Sequence, residues 1–83
     1  MRLRSNDISA RTVGDETIIL SLSDSQYFSV TGIGTRIFEL LGEEHSADEL
    51  VERIVGEYEV DEEVARRDVE AFVGRLREAR LLR

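Results

Sequence analysis

Residues 26–34 read QYFSVTGIG: two aromatics and a valine among polar residues, carried straight into a glycine pair. Up to Thr31 the run alternates with the period of two expected of a strand. From Ile33 onward, apolar residues recur at Ile37, Phe38, Leu40 and Leu41 with the spacing of a helix. The stretch is therefore the junction between a β half and an α half. It also contains no charge, in a chain of 83 residues of which 35% are charged.

Backwards from this junction the chain reads as strands. Ile8 to Val13 (ISARTV) alternates and ends at the turn Gly14-Asp15-Glu16. Thr17 to Leu22 (TIILSL) is rich in β-branched and apolar residues, as a central strand should be. Ser23-Asp24-Ser25 makes a second turn, and Gln26 to Val30 is the third strand. Short turns between three successive strands predict an antiparallel meander.

Forwards, the chain reads as three helices. Thr31 is placed to cap the first, and Gly42 to end it in the left-handed conformation. Ser46 and Glu49 have the spacing of a capping box, opening a second helix whose buried stripe is Leu50, Val51, Ile54 and Val55. Asp61 caps a long third helix, with Glu62 and Glu63 suited to its positive end. At 100° per residue, Ala65, Val69, Phe72, Leu76 and Ala79 share an arc about 80° wide. Val64, Asp68, Ala71 and Arg75 border that arc on one flank, Val73 and Arg80 on the other. The expected fold class is α+β, a three-stranded antiparallel sheet followed by three helices, resembling a winged helix-turn-helix. No linker or repeat divides residues 1–83, so one domain is expected.

Composition excludes several functions. The chain lacks cysteine, so thiolate metal sites, disulfides and thiol nucleophiles are out. His45 is the lone histidine, beside Glu43 and Glu44; without spaced partners it predicts no metal site. Gly32 and Gly34 lack the third glycine of a dinucleotide loop, and no serine has a base in a recognisable arrangement. No enzyme and no cofactor are expected. The N-terminus has no apolar centre of a signal peptide and no run reaches membrane-spanning length, which predicts a cytoplasmic protein. The charge of −7 is concentrated in residues 39–63, with eleven acids and one arginine. A winged helix can read DNA, but so acidic a middle segment repels phosphate, and the arginines of the last helix point in several directions. An acyl carrier would be all-helical. Neither nucleic acid nor membrane is an expected partner.

In such a meander the third strand is an edge, and edges are usually guarded by a charge, a proline or a bulge. Gln26 to Val30 has none of these. An unguarded edge beside a wide apolar helix face suits an extended peptide that adds as a further strand.

The runs DETIILSLSDSQYFSVTGIGTRIFELL, SADELVERIVGEYEVD and DVEAFVGRLREARLL resemble the PqqD-like family, over about residues 8 to 82. The match rests on the aromatic strand entering Gly32, with Ile37, Leu40 and Leu41, and on Asp68-Val69, Phe72, Leu76 and Leu81-Leu82. Members are RiPP recognition elements, modules that bind the leader segment of ribosomally made precursor peptides. The short acidic form is most similar to the stand-alone leader-binding protein of lasso-peptide biosynthesis. The resemblance implies strand addition along Tyr27, Phe28, Ser29 and Val30, in a cleft facing the third helix. It further implies that Val64, Val69, Phe72 and Leu76 contribute apolar contacts there and that the rim is formed by Asp68 and Arg75 or, from the opposite flank of the helix, by Val73 and Arg80. Implied partners are a precursor leader and a separate leader peptidase or other maturation enzyme; a PqqD-type chaperone for a radical-SAM enzyme is the alternative. The chain departs from the family pattern at Val30-Thr31, where Leu-Asn is usual, and at Arg80, where glycine is usual; both replacements are expected to keep strand or helix character.

Overall fold

A computed structural model describes residues 1–4 and 6–83. Its elements run β1 (Ile8–Val13), β2 (Glu16–Ser21), β3 (Gln26–Thr31), α1 (Ile33–Leu40), α2 (Ala47–Glu57) and α3 (Glu62–Glu78). The strands form one antiparallel sheet in the order β1-β2-β3, so the α+β expectation of a three-stranded meander followed by three helices stands. Gly14 opens the first hairpin at φ +65°, a left-handed backbone that glycine adopts without steric cost.

The sheet has a buried and an open face. Thr17, Ile19 and Ser21 of β2 point inward and are fully buried, whereas Ile18 and Leu20 are exposed. On β3 the inward residues are Phe28 and Val30; Ile19 lies opposite Phe28 and Leu20 opposite Tyr27. The inner face meets Ile37 and Leu41 of the α1 region, Leu50 and Ile54 of α2, and Val69, Phe72 and Leu76 of α3 in one core. Two inward hydroxyls of β2 keep partners there. Thr17 Oγ1 lies 2.8 Å from Thr12 Oγ1 and 3.4 Å from Thr35 Oγ1, and Arg4 Nη2 donates to Ser21 Oγ at 3.3 Å.

The helix ends differ in part from expectation. Thr31 is the last residue of β3, and Gly32, at φ +59°, is the N-cap of α1. Only a backbone turned into the left-handed region carries the strand into the helix at this point, which a β-branched residue resists. α1 has no side-chain cap; the Thr35 hydroxyl, in its first turn, donates instead to the hairpin carbonyl of Asp15 at 2.9 Å. Gly42 is not left-handed; α1 ends at Leu41 with ordinary φ, and the Gly42 N–H donates to the Glu39 carbonyl. Ser46 and Glu49 do form the capping box, and the Ser46 N–H holds the Glu49 carboxyl below the usual carboxylate range. Asp61 is the N-cap of α3 by position, without a side-chain bond to the helix. Val55 is 38% exposed rather than part of the stripe, because it lies 140° round α2 from Leu50 at 100° per residue.

Arg80 is not helical. It takes φ +61° just past the α3 C-cap, Ala79, while its N–H donates to the Arg77 carbonyl and Leu81 N–H reaches back to the Leu76 carbonyl. These are the two bonds of a Schellman motif, whose left-handed position favours glycine. The motif folds Leu81 into the core, fully buried. It also brings the chain end beside residues 2–4: Leu3 bridges Leu82, Arg4 N–H donates to the Leu81 carbonyl and Arg83 N–H to that of Arg2.

Candidate functional site

The helices pack mainly on one another, α3 on α2 and both α2 and α3 on α1, which leaves a cleft between β3 and α3. Two hollows occupy it. The first, about 390 Å³, lies at the α1 end, bounded by Val30, Gly34, Ile37, Asp68, Ala71 and Arg75 among others. The second, about 320 Å³, lies toward the end of α3 and is bounded by Ile19, Phe28, Leu76, Ala79 and Leu81 among others. Val30, Phe72 and Arg75 border both hollows and so form the ridge between them.

The β3 backbone can be sorted by the direction of its polar groups. In an antiparallel pair, successive residues alternately face the partner strand and face away from it. The Gly32 N–H donates to the Asp15 carbonyl, extending the β2–β3 pairing by one residue in the same register. Gly32, Val30 and Phe28 therefore direct their main-chain groups at β2. Tyr27, Ser29 and Thr31 direct theirs along the free edge, since β3 ends the sheet. Side chains alternate in the other sense: Phe28 and Val30 enter the cleft, while Tyr27 lies on the open face with 74% of its surface exposed. Ser29, also on that face, donates from Oγ to Glu16 Oε2 at 2.7 Å.

Residues singled out from the sequence thus occupy distinct places. Phe28, Ser29, Val30, Asp68, Phe72, Arg75 and Leu76 line one or both hollows. Tyr27 and Ser29 face the edge through their backbone. Val69 is fully buried in the core and Val64 half-buried near the start of α3; neither borders a hollow. The flank of α3 that meets β3 is the one carrying Asp68, Ala71 and Arg75. On the opposite flank Val73 is buried in the core, and Arg80 borders a third hollow with Asp24 and Gln26, next to the second. Among the cleft-wall residues that sequence reading missed are Ile33, Gly34, Ala79 and Leu81. Ile33 reads as part of the apolar stripe of the first helix, and Gly34 as part of the turn from strand to helix. Leu81 reaches the wall only because of the left-handed turn at Arg80.

The cleft supplies hydrogen-bonding backbone along one side, apolar surface along the other and two opposite charges on the helix. Asp68 and Arg75 are two helical turns apart, so they flank the first hollow along its length.

Comparison with known proteins yields a family and two solved relatives. The family model described as coenzyme PQQ synthesis protein D (PqqD) matches residues 16–82. The structure of TbiB1 in complex with the TbiA(beta) leader peptide is 33% identical, covers 99% of this chain and 94% of that one, and superposes with a TM-score of 0.87. A lasso peptide synthetase B1 complexed with the leader peptide is 28% identical, covers 94% and 91% of the two chains, and has a TM-score of 0.79. No curated protein matches the chain.

Proposed function

The chain belongs to the PqqD family, and on that premise we propose that it captures the leader segment of a ribosomally made precursor, of the lasso-peptide kind, without catalysing a reaction itself. The leader adds as a fourth strand along β3. The observation that carries this reading is the outward direction of the Tyr27, Ser29 and Thr31 main-chain groups beside a cleft that β3 shares with α3. Backbone bonds set the leader's register, and its alternate side chains enter the two hollows. Affinity comes chiefly from the apolar anchors, because exposed backbone bonds trade nearly evenly with those to water.

A captured leader is useful only to an enzyme that acts on the attached precursor. The partner is therefore a maturation enzyme, in the first place a separate leader peptidase, and the site of action is the cytoplasm, where such precursors are made. No helix is long and apolar enough to cross a membrane among the described residues. Titration with the TbiA(beta) leader peptide and with short random peptides on display tests the proposal by calorimetry and by amide chemical shifts. Saturable binding with shifts centred on Tyr27 to Thr31 and on Phe72 to Leu76 is expected. Peptides that bind while those amides stay unmoved would remove β3 from the mechanism.

A further inference from the structure

Gly34 is the second residue of α1 and borders the first hollow. A Cβ placed on it would lie 3.3 Å from Cε1 and 3.5 Å from Cδ1 of Phe72, and 3.6 Å from the Cβ of Val30. The first of these is tighter than ordinary van der Waals contact, so the ring would have to give way. The backbone does not ask for glycine here: the positive-φ glycines are Gly14 and Gly32. Within a helix, glycine is the poorest choice apart from proline. What its missing side chain provides is space, at the point where the ridge residue Phe72 meets the wall of the hollow.

We propose that Gly34 is a specificity-determining residue, setting the size of the peptide side chain admitted to the hollow between Val30 and α1. The inference rests on the leader-capture reading and adds the selection rule for one of its two anchors. With glycine at 34 the Phe72 ring stays on the ridge, and the hollow takes a bulky side chain whose apolar part lies against Ile33, Ile37 and Ala71, with Asp68 and Arg75 beside it. A methyl at 34 fills part of that volume and presses the ring toward the second hollow. The second hollow, walled by Phe28, Leu76 and Leu81, does not touch Gly34 and keeps its own preference.

The test is a random short-peptide display library selected in parallel on the wild-type chain, Gly34→Ala and Gly34→Leu, with melting temperatures recorded for all three. Selection on Gly34→Ala is expected to enrich smaller residues at one inward position only. A wild-type-selected peptide with a bulky residue there is expected to bind Gly34→Ala about tenfold more weakly, the effect of one methyl in an apolar pocket, and to bind Gly34→Leu immeasurably. The Gly34→Ala melting temperature is expected to stay at or above wild type. Unchanged size preference in both variants overturns the inference, as does a loss of affinity that is uniform across peptides and accompanied by a lower melting temperature. A wild-type chain that selects no peptide overturns the leader-capture reading itself, and the inference with it.

Discussion

Arg36 of α1 and Glu57 of α2 form a two-bonded fork, Nε to Oε1 at 2.7 Å and Nη2 to Oε2 at 3.0 Å. Arg53, one turn before Glu57, approaches the same carboxylate at 3.4 Å. The pair joins the last turn of α2 to α1 where neither helix has a C-terminal cation of its own. The hydrogen bond from Arg36 is the main reason that Glu57 titrates below the usual carboxylate range, and the same bond raises Arg36.

A depressed carboxylate stabilises the fold fully above its unfolded pKa, ordinarily about 4.3, and that stabilisation disappears as pH falls through the lower folded value. Glu57→Gln is therefore expected to be less stable than wild type at neutral pH, with the difference shrinking below about pH 4. Urea denaturation at a series of pH values checks this. A constant difference from pH 7 to pH 2 would mean that the charge of Glu57 contributes nothing.

Arg80→Gly should stabilise the chain. Arg80 holds a left-handed backbone at the end of α3, a conformation that costs a residue with a Cβ about 1 kcal/mol more than glycine. The change is expected to raise the melting temperature by roughly 4–8 °C for a domain this size. Arg80→Ala, which keeps the Cβ, should not reproduce it, and equal shifts for both variants would place the effect in the lost charge.

Ser29→Pro should separate folding from capture. The Ser29 N–H faces the free edge, and proline is tolerated on an edge strand where its missing donor faces solvent. The variant is expected to remain folded by circular dichroism while peptide affinity falls by roughly tenfold or more, through a lost bond and a blocked approach. Val30→Pro, which removes a bond to β2 instead, is expected to unfold the sheet. Normal binding by folded Ser29→Pro would exclude pairing at that position.

Phe72→Leu keeps an apolar residue in the core while removing the ring that divides the cleft. Calorimetric titration with a wild-type-selected peptide is expected to show a loss of roughly tenfold. Arg77→Ala, on an exposed part of α3 away from both hollows, should bind as wild type does. Similar losses for the two variants would argue against anchors in the cleft.

Thr35→Val should destabilise the junction between sheet and helix by about 1–2 kcal/mol. It removes the shorter of two donors to the Asp15 carbonyl, leaving the Gly32 N–H at 3.2 Å, and a neighbour of the buried Thr17 hydroxyl. Denaturant midpoints measure this directly, and a change near zero would mean that water replaces the hydroxyl at the hairpin.

Local chemistry wrote much of this protein into its sequence. The turns at Gly14-Asp15-Glu16 and Ser23-Asp24-Ser25 and the apolar run of β2 made the meander legible, although Ile18, Ile19 and Leu20 stand in a row and do not say which of them is buried. The Ser46–Glu49 capping box was legible too, because both its bonds lie within four residues. The stripe from Ala65 to Leu76 marked the buried face of α3 for the same reason, since helical spacing brings those residues together whatever they meet. The missing charge in QYFSVTGIG was readable as an unguarded edge.

Tertiary structure decided what depends on meetings between distant segments. Whether Asp68 and Arg75 or Val73 and Arg80 face β3 turns on how α3 rotates against α2, and helical periodicity is symmetric between the two flanks. Tyr27 and Phe28 are neighbours of similar character, yet the register with β2 sends one outward and the other into the cleft. The two glycines of the junction look alike in sequence. Only the fold gives Gly32 its left-handed turn and sets Gly34 against the ring of Phe72, a residue thirty-eight positions away.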